Sequence, residues 1–554
     1  MKIDISEKQL QMLVDDVVHR VKEKMRGGDI GEASRGLNSS SSMSLSASPS
    51  VPTVRGLSET NAPRTNASLT NASLTNASPT NVSPAGQVGS SGAVGSSLSV
   101  GSSLSVGSSL TASKSEGVFG DMDEAVASAQ ASYEQLMDMS VKQREGLISA
   151  MRRAAIENAE RLGKLAVEET GFGRVSSKIQ KILLAARKTP GTEDLNPRAY
   201  SGDDGLTLVE PAPYGVIGSI TPSTNPPSTV VNNSIGIVAA GNGMVVNPHP
   251  GAKVVSNETV KMLNRAIVAA GGPPTLVCSV AEPTLKTGQA MMKHGGIKLL
   301  LVTGGEAVVK VAMSSGKKVI AAGPGNPPVI VDDTADITRS ARNIVDGASF
   351  DNNVLCTAEK EVFVYKSVAE RLKQEMCRYG AYEISGHQFD ALVNECIDIQ
   401  DPSHPRARTD KVGKDASLLL SLVGIKAPKN TRLVIAEVDD PMHPLVQAEQ
   451  LMPFLPIVRV NDLNEALSCA LQAEHGFRHT AVMHSEHVSR MSTVARAVET
   501  SIFVKNAPSY AGLGFGGEGH TTLSIATPTG EGLTSARTFT RQRRCVLAGA
   551  FRII

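Results

Sequence analysis

Between Gly27 and Gly117 the chain repeats itself in small polar residues: TNASLTNASLTNASPTNVSP is followed by VGSSLSVGSSLSVGSSL. Repeats of this kind bury too little apolar area to offset the entropy of ordering the backbone. Residues 27–117 are therefore expected to be a flexible tether. It divides the chain into a short N-terminal piece and a body of enzyme size, about Val118 to Ile554. The Asn-x-Ser triplets at Asn66, Asn71, Asn76 and Asn81 match the glycosylation acceptor in form. They are read as by-products of the repeat, because no basic region followed by an apolar core and a cleavage site precedes them.

The N-terminal piece, residues 1–26, has the pattern of an amphipathic helix. Leu10, Val14, Val17, Val21 and Met25 step by four, three, four and four, which places them on one stripe. Ser6 and Gln9 have the spacing of a capping box, and Ile5 and Leu10 that of a hydrophobic staple. Held off by the tether, this stripe has nothing of its own to pack on. Docking on another protein is expected, with folding back onto the body as the alternative.

At 554 residues the chain needs more than one core. Its 55 basic and 54 acidic residues leave a net charge of +1 with no long block of either sign, so no nucleic-acid partner is expected. Cysteines 278, 356, 377, 396, 469 and 545 are far apart, without CxxC pairs, which argues against a disulfide framework or structural zinc and for a reducing cytosol. No run of eighteen apolar residues suggests a membrane span. The chain is expected to be soluble and cytoplasmic.

DEAVASAQASYEQL and SVKQREGLISAMRRAAIENAERLGKLAVEETG have helical spacing. From Tyr214 onward short apolar runs (YGVIGSITP, GMVVNPHP, PTLVCSV, IKLLLVTGG, KKVIAAGPG) alternate with amphipathic segments. That alternation predicts an α/β fold, a mostly parallel sheet with helices on both faces. In such sheets ligands collect beyond the carboxyl ends of the strands. The residues standing there are TPSTNPP, including Thr221 and Pro222, NPHPGAK, including Asn247 and His249, and Thr303-Gly304-Gly305, whose backbone N–H groups at a helix mouth suit a phosphate. No GxGxxG follows the first strand, so a standard dinucleotide fingerprint is absent.

Cys356 lies between an Asp-Asn-Asn turn and the apolar run Glu361 to Tyr365. Taken alone it reads either as a small core residue or as a nucleophile. Asn225 likewise reads as a helix cap or as a hydrogen-bond donor to a reacting group. His475 and His479 stand at i and i+4 without a third ligand at suitable spacing, and no metal is assigned to them.

PYGVIGSITPSTNP, HPGAKVVSNE, VTGGEAVVK, FDNNVLCTAEKEV and the closing GEGLTSARTFTRQRRCVLAGAFRII resemble the aldehyde dehydrogenase superfamily. Within it they resemble the CoA-acylating acetaldehyde or propionaldehyde branch of bacterial microcompartments. The likeness spans Val118 to Ile554. It implies a Rossmann-type cofactor domain at 118–331, an α/β catalytic domain at 332–534 and an oligomerisation strand at 535–554, in a homodimer or homotetramer. It also implies Cys356 as nucleophile, Asn225 as oxyanion donor, and NAD as cofactor with NADP left open. Thr221, Pro222, Asn247, His249, Thr303, Gly304 and Gly305 are the implied cofactor contacts, with Glu449, or alternatively Gln450, at the ribose. The tethered N-terminal helix resembles the peptides that carry enzymes into microcompartment shells, which implies shell proteins as partners and the microcompartment lumen as location.

One departure from the resemblance bears on the chemistry. Hydrolytic members carry a glutamate that activates water, and Ala322 stands in its place. Alanine accepts no proton. A cysteine thioester would then wait for the thiol of coenzyme A, giving acyl-CoA rather than acid. Glu359 is the one substitute base to weigh, its side chain expected to point away. Hydrolytic oxidation of aldehyde and a purely structural cargo role are the alternatives.

Overall fold

The computed structural model of the protein describes residues 116–401 and 404–554. The expected N-terminal helix at 1–26, and the tether up to residue 115, lie outside these residues. The last two positions assigned to the tether already belong to the body. Glu116 pairs with Arg265 (3.0 Å), and the Gly117 carbonyl accepts the Ser279 N–H (2.8 Å). At Gly117 φ is +94°, and a Cβ there would lie 2.2 Å from the Asn264 amide, so glycine is required where the chain enters the sheet.

Two parallel sheets organise the body. The first has the order Val118–Phe119, Val277–Val280, Gly243–Pro248, Val216–Thr221, Ile297–Thr303, Lys318–Ala322. Its strands are apolar almost throughout because both faces are covered. One face packs under Val141–Glu157, Val175–Lys188, Pro226–Ala239 and Lys253–Ala269, the other under Met122–Met137, Leu285–Lys293 and Glu306–Met313. The long helical run read in the sequence breaks at Asn158, which ends Val141–Glu157 and begins Ala159–Thr170.

The order of the first sheet reverses between Val216–Thr221 and Ile297–Thr303, because successive strands are laid down first on one side and then on the other. The carboxyl ends of these two strands mark the place where open α/β sheets bind ligands.

The second sheet runs Ala381–Ile384, Leu433–Glu437, Phe454–Val460, Glu361–Tyr365, Pro328–Val331, Thr480–His484, Ile502–Lys505, again all parallel. This moves the expected domain boundary. Pro328–Val331, placed by sequence at the end of the cofactor domain, is hydrogen-bonded between Glu361–Tyr365 and Thr480–His484 near the middle of the catalytic sheet. The connection Gly323 to Pro327 is the crossing point, and two prolines at 327 and 328 disguised a fully buried strand.

The terminal segment also differs from a free arm. Thr540–Ala548 pairs antiparallel with Gly205–Pro213 of the same chain, which in turn pairs with Arg198–Gly202. This three-stranded ribbon is largely exposed, Tyr200, Val546 and Leu547 among its side chains.

Candidate active site

Cys356 sits just after the 3-10 turn Phe350–Asn353. Asp351, Asn352 and Asn353 have φ of 50°, 53° and 65°, three successive left-handed residues. Asp and Asn tolerate that region best among residues with a side chain. The polar triplet in the sequence is thus a backbone device that turns the chain from the helix Ile337–Ser349 into the nucleophile loop. Each of the three also anchors it. Asn353 donates to Ala348 O and Glu359 O (2.9 Å each), Asn352 donates to Gly413 O (2.9 Å), and Asp351 takes the Arg174 N–H (2.8 Å).

Beneath the loop lies Lys360, wholly buried, donating to the carbonyls of Asn353 (3.0 Å) and Leu355 (3.3 Å) and to the Asn353 side chain. Burial lowers its pKa, while Glu449, Cys356, Glu361 and Glu359 oppose that fall. The Cys356 thiol is pushed up to about 12 by burial and by the Glu449 carboxylate; Lys360, its own backbone N–H and Lys181 act the other way. The free enzyme therefore holds a protonated thiol at neutral pH, and ionising it requires a change in its surroundings.

Asn225 caps Pro226–Ala239 with its backbone but not with its side chain. The side chain is taken by Lys181, which donates to its Oδ1, and its amide donates to Thr224 Oγ1 (3.2 Å). Lys181 also donates to Asp351, so one ammonium joins the asparagine to the turn that carries Cys356. Asp351 is shared with Lys178 (2.9 Å), and all three groups are buried. Sequence reading missed this cluster. Its signal was present: in Val175–Lys188 the lysines at 178 and 181 fall on the buried stripe with Ser177, Ile182, Ala185 and Ala186, where a solvated lysine has no place.

Glu449 stands next to Cys356 and Lys360, its pKa raised by burial. Gln450, the alternative to it, is wholly engaged in the fold, donating to Lys360 O (3.0 Å) and Leu445 O (2.5 Å). Glu359 is buried and accepts from the Ser509 N–H (2.7 Å) and hydroxyl (2.8 Å). His475 adopts φ 57° and ends Leu463–Glu474, so it and His479 do not share a helical face. His475 Nε2 meets Gln447 O (2.9 Å), and His479 Nδ1 meets Thr480 Oγ1 (2.9 Å).

The cofactor-contact candidates gather at one edge of the first sheet. Ile220 aligns with Asn247 and with Val302, and Thr303 with Ala322. The Thr221 hydroxyl is buried at the reversal point with no partner, an orphan that a ligand would satisfy. Gly305 begins Glu306–Met313 without a side-chain cap, and a Cβ there would touch nothing within 4 Å. These are the features of a site that receives a phosphate on backbone N–H groups, so the residues present fit a dinucleotide. Asn247 is held by Thr287 (2.7 Å), and His249 lies at the exposed rim, its Nδ1 accepting from Gly251 (3.1 Å).

Beside the nucleophile loop is a cavity of about 10 Å³ lined by Lys181, Leu184, Phe350, Leu355, Tyr510 and Phe515, among others. Phe350, Tyr510 and Phe515 pack with centroids 5.1 to 5.8 Å apart.

The reversing parallel sheet is joined to a second sheet preceded by the left-handed turn and Cys356, and residues 109–538 match the aldehyde dehydrogenase family, a class of oxidoreductases. The chain belongs to that family. Among its relatives is the acetylating acetaldehyde dehydrogenase EutE of Salmonella typhimurium, 49% identical over 440 residues, covering 79% of this chain and 94% of that protein. The propionaldehyde dehydrogenase from the Clostridium phytofermentans fucose utilisation bacterial microcompartment is 49% identical with a TM-score of 0.77, covering 79% of this chain and 100% of that one. That of Rhodopseudomonas palustris, solved with bound CoA and an acylated cysteine, is 45% identical with a TM-score of 0.77 over the same shares. The chain therefore stands among the CoA-acylating aldehyde dehydrogenases.

Proposed function

We propose that this chain oxidises a short-chain aldehyde, of two or three carbons, to its acyl-CoA with NAD or NADP as oxidant. The observation that carries the reading is the joining of Asn225 to the Cys356 loop through Lys181 and Asp351. It supports a pairing of the half-buried Cys356 with the Asn225 amide.

The sequence of events follows from the residues. Cys356 as thiolate adds to the carbonyl carbon, and the oxygen becomes an anion. The Asn225 amide and the Cys356 backbone N–H supply preorganised donors for it. Thr221 and Thr303-Gly304-Gly305, with Glu449, would hold the dinucleotide, which when bound would supply the hydride acceptor. With hydride gone, an acyl thioester remains on Cys356. Ala322, buried at the end of Lys318–Ala322, offers no base to a water molecule. Glu359 is turned to Ser509 and is not free to replace it. The thiol of coenzyme A then takes the acyl group, passing through a second oxyanion at the same donors.

The N-terminal stripe is read as a docking helix for a microcompartment shell, and the exposed edge of Thr540–Ala548 as the surface that pairs protomers into a dimer or tetramer. Removal of Met1 to Met25 is expected to leave catalysis intact and release the enzyme from the shell; unchanged partition between shell and cytosol would refute the targeting role.

The central test is mass spectrometry after mixing the enzyme with propionaldehyde and NAD. An acyl adduct on Cys356 that persists without CoA and discharges on its addition is expected. No adduct, or one that decays equally fast without CoA, would end the reading.

A further inference from the structure

The cluster behind Asn225 holds more positive charge than its stability requires. Asp351 is one carboxylate, wholly buried, and it already has the Arg174 N–H (2.8 Å) and the Lys178 ammonium (2.9 Å). Lys178 in turn is satisfied, donating also to Thr224 O (2.6 Å). One buried carboxylate with one buried ammonium is a neutral pair. Lys181, a second ammonium 2% exposed on the same carboxylate, adds an unbalanced charge to the buried cluster. Burial of an unpaired charge is strongly unfavourable. A lysine kept under those terms points to a role outside packing.

What distinguishes the two lysines is their remaining contact: Lys178 reaches a backbone carbonyl, Lys181 the side-chain oxygen of Asn225. An amide whose oxygen is bound by a cation has its electron density drawn toward that oxygen, and its N–H groups become stronger donors. One Asn225 N–H goes to Thr224 Oγ1, leaving the other for a reacting oxygen.

Resting on the oxyanion reading of Asn225 above, we propose that Lys181 is a positioning residue of this site. Its ammonium, anchored by Asp351, fixes which end of the Asn225 amide faces the substrate and polarises the free N–H toward the negative charge that forms in both acylation and deacylation.

Burial brings the Lys181 pKa down to about 7, with Asp351 opposing and Lys178 adding to the fall. An anion forming at the neighbouring amide favours the protonated form, so the charge is drawn fully on where it is needed. Lys181 also biases the Cys356 thiol toward ionisation.

The test compares matched variants. Lys181→Met and Lys178→Met remove the same charge from the same carboxylate and each leaves a neutral pair, but only the first frees Asn225. Lys181→Met should lower single-turnover acylation and CoA-dependent deacylation by a similar factor, about 10- to 100-fold, with the KM for NAD within about twofold. Lys178→Met should lower them less than about threefold. In an Asn225→Ala background Lys181→Met should change the rates less than about twofold, since it acts through a group no longer there. Lys181→Gln, which keeps N–H donors without charge, should fold and still be slow. Equal losses for the two lysines, an undiminished Lys181 effect without Asn225, or a Lys181→Gln enzyme of normal rate would overturn the proposal. Unfolding of both Lys181 variants while Lys178→Met folds would make the residue structural and overturn it too. An Asn225→Ala enzyme of normal rate would instead remove the oxyanion reading itself.

Discussion

The two parallel sheets are built by the same rule, yet their functional edges are opposites. The first ends in small, neutral residues: a buried threonine hydroxyl without a partner and Gly305, with open space where a side chain would stand. The second ends in Glu359, Lys360 and Glu361, all wholly buried, beside Cys356. Glu361 has no hydrogen-bond partner for either carboxyl oxygen, and burial raises its pKa well above the ordinary carboxylate value. A site that only holds a cofactor keeps backbone N–H groups clear, whereas one that makes and breaks charge gathers groups whose ionisation the fold controls.

If that contrast is sound, substitutions at the two edges should fail in different ways. Cys356→Ala should abolish NADH formation, by at least about 10⁴-fold, with the fold and cofactor binding intact; stopped-flow absorbance and thermal denaturation check both halves. Gly305→Val should be accommodated, because nothing lies within 4 Å of a Cβ there, and should raise the KM for NAD about tenfold with kcat little changed. A fall in kcat of similar size would mean that the cofactor edge takes part in the chemistry. Glu449→Gln should speed alkylation of Cys356 by iodoacetamide about two- to fivefold at pH 8, because the carboxylate holds the thiol pKa up and its loss lowers it; a slower reaction would reverse that sign.

The smallest effect concerns stability. His479 and His484 are buried with pKa values lowered to about 4 and about 3, chiefly by burial, so both stay neutral in the fold but take up protons in the unfolded chain below about pH 6.5. Their contribution is present above that pH and declines as the pH falls toward 4, by up to about 1.4 kcal/mol per histidine per pH unit. Urea denaturation of the wild type and a His484→Leu variant between pH 7 and 5 checks it: the variant should show the shallower decline.

Sequence legibility followed the same divide. The five apolar runs quoted from Tyr214 onward are all strands, because helices on both faces leave such segments no polar face to show. That Thr221, Asn247 and Thr303 stand at one edge of the first sheet was legible from position, since turns after parallel strands collect there. The boundary drawn at 331 fell past Pro328–Val331, which lies in the second sheet, because a four-residue run behind two prolines carries no information about which neighbour it pairs with. Glu359 and Gln450 show the other limit: their types were visible, but Ser509 and the Lys360 carbonyl decide what they are free to do.

By itself the sequence determined the strand and helix rhythm, a turn at Asp-Asn-Asn before Cys356 and the alanine where a base would stand. These are local properties: periodicity, turn chemistry and the presence or absence of a titratable atom. Only the tertiary structure decided that Lys178 and Lys181 meet Asp351 more than 160 residues away, that one ammonium takes the Asn225 oxygen, and that the thiol rests protonated. Charge placement and pKa depend on which groups burial brings within a few ångströms, and a chain shows that only once it has folded.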